Sequence, residues 1–176
     1  AVKGAGDILN INGIVYPVSS TDSTLCALFE GGKTIKGESK IDLCLGRSPG
    51  LRLKKCWHEP EPKCDVNAYA SIINSDIVTI GPGDLYTSVI TNLLISDIRK
   101  AIVQTSAKKV YICNLMTKPG ETSGYDAFDH IKEIIRYLKT DCLDYCLLAD
   151  TTRFSRTALH TYAKKGQYPV EAGSLQ

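Results

Sequence analysis

Three short apolar runs, Asp76–Ile80, Lys109–Leu115 and Leu143–Ala149, alternate with two stretches of helical periodicity, and this order constrains the fold more than any other feature. In the first helical stretch Val89, Ile90, Leu93, Leu94, Ile98, Ala101 and Ile102 recur three and four residues apart, which aligns them on one face. Phe128, Ile131, Ile134, Ile135 and Leu138 repeat the pattern, with Ser123 or Asp126 placed to cap that helix. The strand runs are apolar on both sides. A β-α-β-α-β order with two-sided strands predicts a mostly parallel sheet covered by helices.

The first half of the chain reads differently. Val2–Leu9 suits the tail of a helix and Gly13–Val18 a strand. Leu25–Phe29 runs into Glu30-Gly31-Gly32-Lys33, a hairpin turn signal, with Thr34–Leu45 as the return strand. After a loop at Arg47–Gly50, Leu51–Trp57 suggests another strand, and Val66–Asn74 a short helix. The expectation is one α/β domain over residues 1–176, with a β-hairpin insertion at about 19–57. A chain of 176 residues, 43% hydrophobic, is long enough to bury a sizeable core.

Right-handed crossovers bring the carboxyl ends of the three later strands to one edge, where open α/β sheets bind ligands. Three loops meet there: Gly81–Ser88, Asn114–Tyr125, and a third from Asp150 through Thr151, Thr152 and Arg153. Glycines let backbone N–H groups approach a phosphate, and a helix start adds a positive dipole end. Thr87, Ser88, Thr117 and Thr122 can donate hydroxyls, while Arg153 or Lys118 can neutralise charge. Asn114 and Glu121 suit sugar hydroxyls or a base edge. Taken singly each loop reads as turn and cap chemistry. Their convergence favours a site for a nucleotide or other phosphorylated small molecule.

Other chemistries are weaker. Net charge is +2 with only isolated lysine pairs, which argues against nucleic acid. No apolar run reaches the roughly 20 residues that a membrane span needs, and no secretory leader is visible. An odd count of 7 cysteines, several within strand-like runs, points to reduced thiols in the cytoplasm. Cys56, His58 and Cys64 match no common zinc spacing, so no metal site is assigned. His130 and His160 have no visible partner, and no G-x-S-x-G elbow exists, which leaves a hydrolase using Cys113 or Ser88 last in rank.

The blocks "DIVTIGPGDLYTSVITNLL" and "KKVYICNLMTKPGETSGYDAFDHI", with "GIVYPVSSTDSTLCALFEGGKTIKGESKI" before them, resemble the bacterial gluconeogenesis-factor family and its relative, 2-phospho-L-lactate transferase. The similarity runs from about Ile8 to Val170. It implies a Rossmann-like three-layer sandwich and two functions. One is a UDP-sugar-binding protein with a regulatory role in carbon metabolism or cell-envelope formation. The other is a transferase that moves a phospho-organic group from a nucleotide donor to an alcohol, with no catalytic residue assigned. Carried over by position, Gly81, Pro82, Gly83, Leu85, Tyr86, Thr87 and Ser88 form the loop around the ligand. Asn92 lies in the helix that follows, and Asn114, Met116, Thr117, Gly120, Glu121 and Thr122 line the neighbouring wall. Asp84 stands where the family usually has Ser, and Thr91 where it has proline. A carboxylate there opposes a phosphate unless a cation intervenes, which leaves a divalent cation open as a cofactor. The family's glycine-rich first strand is absent, so the chain reads as the C-terminal portion of a longer protein, with a homo-oligomer as an open option.

Overall fold

The computed structural model describes residues 12–46 and 50–173. The first half forms an antiparallel sheet of β1 (Thr24–Phe29), β2 (Thr34–Lys36) and β3 (Leu53–Glu59), with β1 in the centre. Ala27 of β1 faces Ile35 on one side and Cys56 on the other. The expected turn at Glu30–Gly32 is present, and Gly31 there takes a φ of 78°, the left-handed conformation glycine tolerates. The expected return strand Thr34–Leu45 ends early, at Lys36. Gly37 at φ 103° turns the chain, its carbonyl accepts from the N–H groups of Lys40 and Ile41, and the short helix α1 (Glu38–Asp42) follows. That turn buries Ile41 and faces Asp42 toward the second half.

Gly13–Val18 forms no strand; only Ser19 makes an isolated bridge, to Cys64. The helix expected at Val2–Leu9 and the start of the loop at Arg47 lie outside the described residues. Helix α2 (Val66–Ile73) begins as expected, capped by the Asp65 carboxylate, which accepts from the N–H groups of Asn67 and Ala68.

The second half is the parallel sheet that the alternating pattern predicts. Strands β4 (Ile77–Ile80), β5 (Lys108–Ile112) and β6 (Tyr145–Leu147) lie in the order β4-β5-β6. The long first helix is divided. Leu85–Ile90 is a widened π-helical turn, continued by α3 (Thr91–Leu93), and extended backbone at Ile95 precedes α4 (Ser96–Gln104). Widening brings Leu85, Tyr86, Thr87, Val89 and Ile90 inward and leaves Ser88 outside, which a uniform 3.6-residue pitch cannot do. Helix α5 (Ala127–Leu138) carries a capping box, Asp126 accepting from the Asp129 N–H and Asp129 from the Asp126 N–H. Its buried stripe is Ala127, His130, Ile134 and Leu138. Helix α6 (Arg156–Ala163) closes the order.

Helices of the described residues cover one face of this sheet. Ile80, Tyr111 and Cys113 are buried there among Ile98, Ile102, Ile134 and Leu138. The opposite face presents Ile77 at 61% exposure, Tyr145 at 59% and Leu147 at 55%. The mixed α/β class, the parallel sheet and the hairpin therefore hold. No described helix is long and apolar enough to cross a membrane.

His130 is fully buried; its Nδ1–H donates to the Asp126 carbonyl at 2.8 Å, and Nε2 has no partner. Burial pushes its pKa below the ordinary 6.5, with the carbonyl and the charges of Asp129 and Asp126 opposing. The folded chain thus refuses a proton that the unfolded chain accepts below about pH 6.5. Thermal melts should show full stability above that pH and a falling midpoint as pH drops toward 5. A His130→Gln variant should lose that part of the pH dependence, and an unchanged slope would show that His130 does not titrate on unfolding.

Candidate functional site

The first two loops meet at the carboxyl edge, but they meet by bonding to each other. Strand β4 ends at Gly81, whose φ is 85°; a Cβ there would stand 2.8 Å from the Ile112 carbonyl of β5. Only glycine lets the turn pass this close to its neighbour. Two residues on, the Gly83 N–H donates to the Asn114 carboxamide oxygen at 3.1 Å. Glu121 from the second loop then reaches the π-helical turn. Its carboxylate accepts from the Tyr86 N–H at 3.2 Å and from the Thr87 hydroxyl at 3.0 Å. The start of the helix is therefore capped by an anion of the chain itself.

Lys118 joins this centre. Its ammonium bonds to Asp42 of α1, to Asp84 at 2.5 Å and lies 3.4 Å from Glu121. Burial would push the lysine pKa down, but hydrogen bonds to Asp42 and Asp84 and the charge of Glu121 outweigh it and raise it. Burial raises the Glu121 carboxyl, while Lys118 pulls the other way. Carboxylate oxygens of Asp42, Asp84 and Glu121 lie within 4.8 Å of one another, close enough to share a cation. Lys118 is the cation they share here, and a divalent ion would compete with it. Asp84 is thus paired within the chain, in a cluster of three carboxylates and one ammonium.

The other predicted residues divide into two groups. Thr117 is buried, its N–H donating to the Tyr168 carbonyl and its hydroxyl accepting from the Tyr168 N–H. The Thr122 hydroxyl accepts from the Lys118 N–H. Met116 forms a bridge with Pro169, so the chain after α6 returns along the second loop and fastens it. Gly120 is buried in the same loop with φ 80°, and Leu85 is core. Thr87, Thr117 and Thr122, expected as hydroxyl donors to a ligand, thus have protein partners and bind the loops together. Arg153 pairs with Asp150 in its own loop, and the Thr151 hydroxyl bonds to Glu171.

Pro82, Ser88 and Asn92 form the open group, together with Gly81. They border an apolar groove of about 300 Å³ beside the end of β4. Asn92 donates to the Ser88 carbonyl at 2.7 Å. Among the described residues, the Ser88 hydroxyl and the Asn92 carboxamide oxygen have no protein partner.

Sequence reasoning did not find two elements of this site. Asp42 comes from a helix 76 residues before Lys118, with no local signal. The second is a polar chain that runs from the buried Tyr86 out to the surface: the Tyr86 hydroxyl meets Tyr125 at 3.0 Å and donates to Glu133 at 2.9 Å, and the exposed Arg136 holds Glu133 at 2.5 Å. Tyr137 of the same helix accepts from the Cys56 N–H of β3 at 3.0 Å, and its ring meets that of Tyr86 edge to face. Cys56 and His58, weighed as zinc ligands, instead face Tyr137 and the Thr91 carbonyl.

A parallel sheet with interlocked loops at its carboxyl edge and a polar-mouthed groove beside its glycine turn defines an α/β protein. The chain belongs to the 2-phospho-L-lactate transferase CofD family, whose model matches residues 1–175. It is 40% identical over 172 residues to a Thermotoga maritima protein provisionally named a gluconeogenesis factor, covering 97% of this chain and 52% of that one. To the gluconeogenesis factor of Bacillus subtilis it is 37% identical over 149 residues, covering 84% of this chain and 45% of the other. A Bacillus halodurans protein of known crystal structure superposes with a TM-score of 0.86 at 37% identity, covering 96% of this chain and 52% of that one. The chain spans about half the length of the relatives it matches.

Two stability experiments follow from this geometry. Gly31→Ala, at φ 78° with open space around it, should cost about 1 kcal/mol of left-handed strain. Gly81→Ala must also displace the Ile112 carbonyl and should cost roughly 2 kcal/mol more in urea unfolding; equal losses would mean that the turn can move off β5. Lys118→Met leaves the buried Glu121 without its cation and should cost about 3 kcal/mol at pH 7. Glu121 then loses its lowering cation, and burial with the nearby Asp84 charge raises it against the hydrogen bonds from Tyr86 and Thr87, so protonation favours the folded state and the variant should regain stability as pH falls toward 5. A pH-independent loss would assign the effect to packing of the lysine stem.

Proposed function

We propose that the protein binds a nucleotide-sugar of the UDP-sugar type at the carboxyl edge of its parallel sheet, in a regulatory role in carbon metabolism or cell-envelope formation. The observation that carries this reading is the pair of unpartnered polar groups, Ser88 Oγ and Asn92 Oδ1, at the mouth of the groove beside Gly81-Pro82. The N–H groups of Gly83 and Tyr86 already have protein acceptors. What this edge offers is hydroxyl and carboxamide, suited to sugar hydroxyls or a base edge. Near Asp84 three carboxylates face one ammonium, so the charged diphosphate is held away from that cluster, on the glycine side. The gluconeogenesis-factor names of the relatives support the regulatory role. The proposed setting is cytoplasmic, in keeping with cysteines that all carry free thiols.

A second reading has one specific support, the family's transferase name: a phospho-organic group moves from a nucleotide donor to an alcohol at the same edge. Titration calorimetry with UDP-sugars on a family-length chain containing this sequence tests the first reading. Binding is expected, with Ser88→Ala and Asn92→Ala each weakening it about 5- to 10-fold, the loss of one neutral hydrogen bond. Absence of heat with every UDP-sugar would sink it. New phospho-organic product in mass spectra, with donor and alcohol supplied, would favour the transferase.

A further inference from the structure

Helices α4 and α5 carry the chain back toward the amino edge of the parallel sheet, α4 leading into β5 and α5 into β6. Between them lies a cleft of about 230 Å³. Arg99, Lys100 and Lys139 line it together with the apolar side chains of Val103 and Leu138, and no carboxylate is among its walls. Helix α5 rises about 18 Å over its 12 residues, which sets the Lys139 end of the cleft well away from the loops of the carboxyl edge.

The cations of this cleft are poorly matched within the chain. The Arg99 guanidinium bonds only to the Ser96 hydroxyl, at 3.4 Å. Among the described residues the Lys139 ammonium has no partner. Lys100 pairs with Asp97 at 2.8 Å, but both side chains are exposed, and such pairs hold weakly in water. Just past α4, the ammonium of the buried Lys109 bonds to the Thr105 and Ala107 carbonyls at 2.8 and 3.0 Å, with no carboxylate on it.

Cations near a helix C-terminus ordinarily answer the helix dipole. That accounts for Lys139 at the C-cap of α5, but not for Arg99, which lies in the first half of α4. Nor does it explain the backbone of Lys139. Its φ of 63° is left-handed, a conformation that favours glycine at a helix end. A lysine held there against local strain points to a role for its side chain.

We propose that this cleft binds a small organic phosphate, its oxygens taken by Arg99, Lys100 and Lys139 and its apolar body by Val103 and Leu138. A guanidinium fork fits phosphate oxygens two at a time. The cleft is smaller than the pockets that take drug-sized ligands, so the occupant is a compact molecule rather than a segment of another protein. The inference goes beyond the ligand reading at the carboxyl edge and shares no residue with it.

Nuclear magnetic resonance on a family-length chain containing this sequence tests it, with phenyl phosphate, inorganic phosphate and benzyl alcohol as probes. Phenyl phosphate should move the amides of Val103, Lys139 and Thr140 saturably. It should bind at least about tenfold more tightly than either other probe, since each lacks one half of the recognition. Arg99→Gln and Lys139→Gln should each weaken it about tenfold. Lys132→Gln, which alters an exposed lysine of α5 outside the cleft, should change nothing. Lys139→Gly, which relaxes the backbone as it removes the charge, should melt no lower than the parent chain yet bind as poorly as Lys139→Gln. No saturable shift at these amides would overturn the proposal. So would inorganic phosphate or benzyl alcohol binding as tightly, or unchanged affinity in Lys139→Gln. Shifts confined to Gly81–Asn92 would place the phosphate at the carboxyl edge and overturn it too. UDP-sugar binding is not read at these amides, so the two readings fail separately.

Discussion

The buried carboxylate of Glu121 is the interaction on which the site depends. It caps the π-helical turn through the Tyr86 N–H and the Thr87 hydroxyl and shares the ammonium of Lys118 with Asp42 and Asp84. A carboxylate away from water is tolerated only when its oxygens are hydrogen-bonded and its charge matched. The hydrogen bonds come from the loop after β4 and the cation from the loop after β5, a cation that Asp42 of α1 also shares. Each loop is therefore fixed by the other. The price is that the helix start is no longer a free anion site.

A second polar chain sits behind the first. Tyr86, Tyr125, Glu133 and Arg136 link the turn to α5, and Tyr137 carries the connection to Cys56 of β3. Such networks hold a unique arrangement only when every member is satisfied. Here they make the antiparallel sheet part of the wall behind the carboxyl edge of the parallel sheet. The return of the chain from Tyr168 to Glu171, bonded to Leu115, Thr117 and Ala127, closes the other side of the long loop. Rigidity is thus concentrated in the buried wall, while Ser88 and Asn92 remain at the open mouth.

The same division runs along the turn: buried hydroxyls and amides build the wall, and Ser88 Oγ and Asn92 Oδ1 stand at the groove without a protein partner among the described residues.

The sequence by itself determined the elements whose cause is local. Periodicity located β4, β5, α4 and α5, Asp126 located a cap, and Gly-Pro-Gly located the turn at the carboxyl edge. It also brought the loops of β4 and β5 to one edge, because parallel strands joined by right-handed crossovers leave no other arrangement. It did not determine the role of each polar residue there. Thr87 and Ser88 are neighbours with equal hydrogen-bonding capacity, yet one bonds to Glu121 and the other faces solvent. That choice follows from the widened pitch of the turn, which a capping residue from a distant loop stabilises. The return strand expected at Thr34–Leu45 gave way to α1 for a similar reason: Ile41 is buried, and Asp42 bonds to Lys118, 76 residues further along. Alternation and propensity report on neighbours along the chain, whereas the partner of a buried charge is set by which segments the fold brings together.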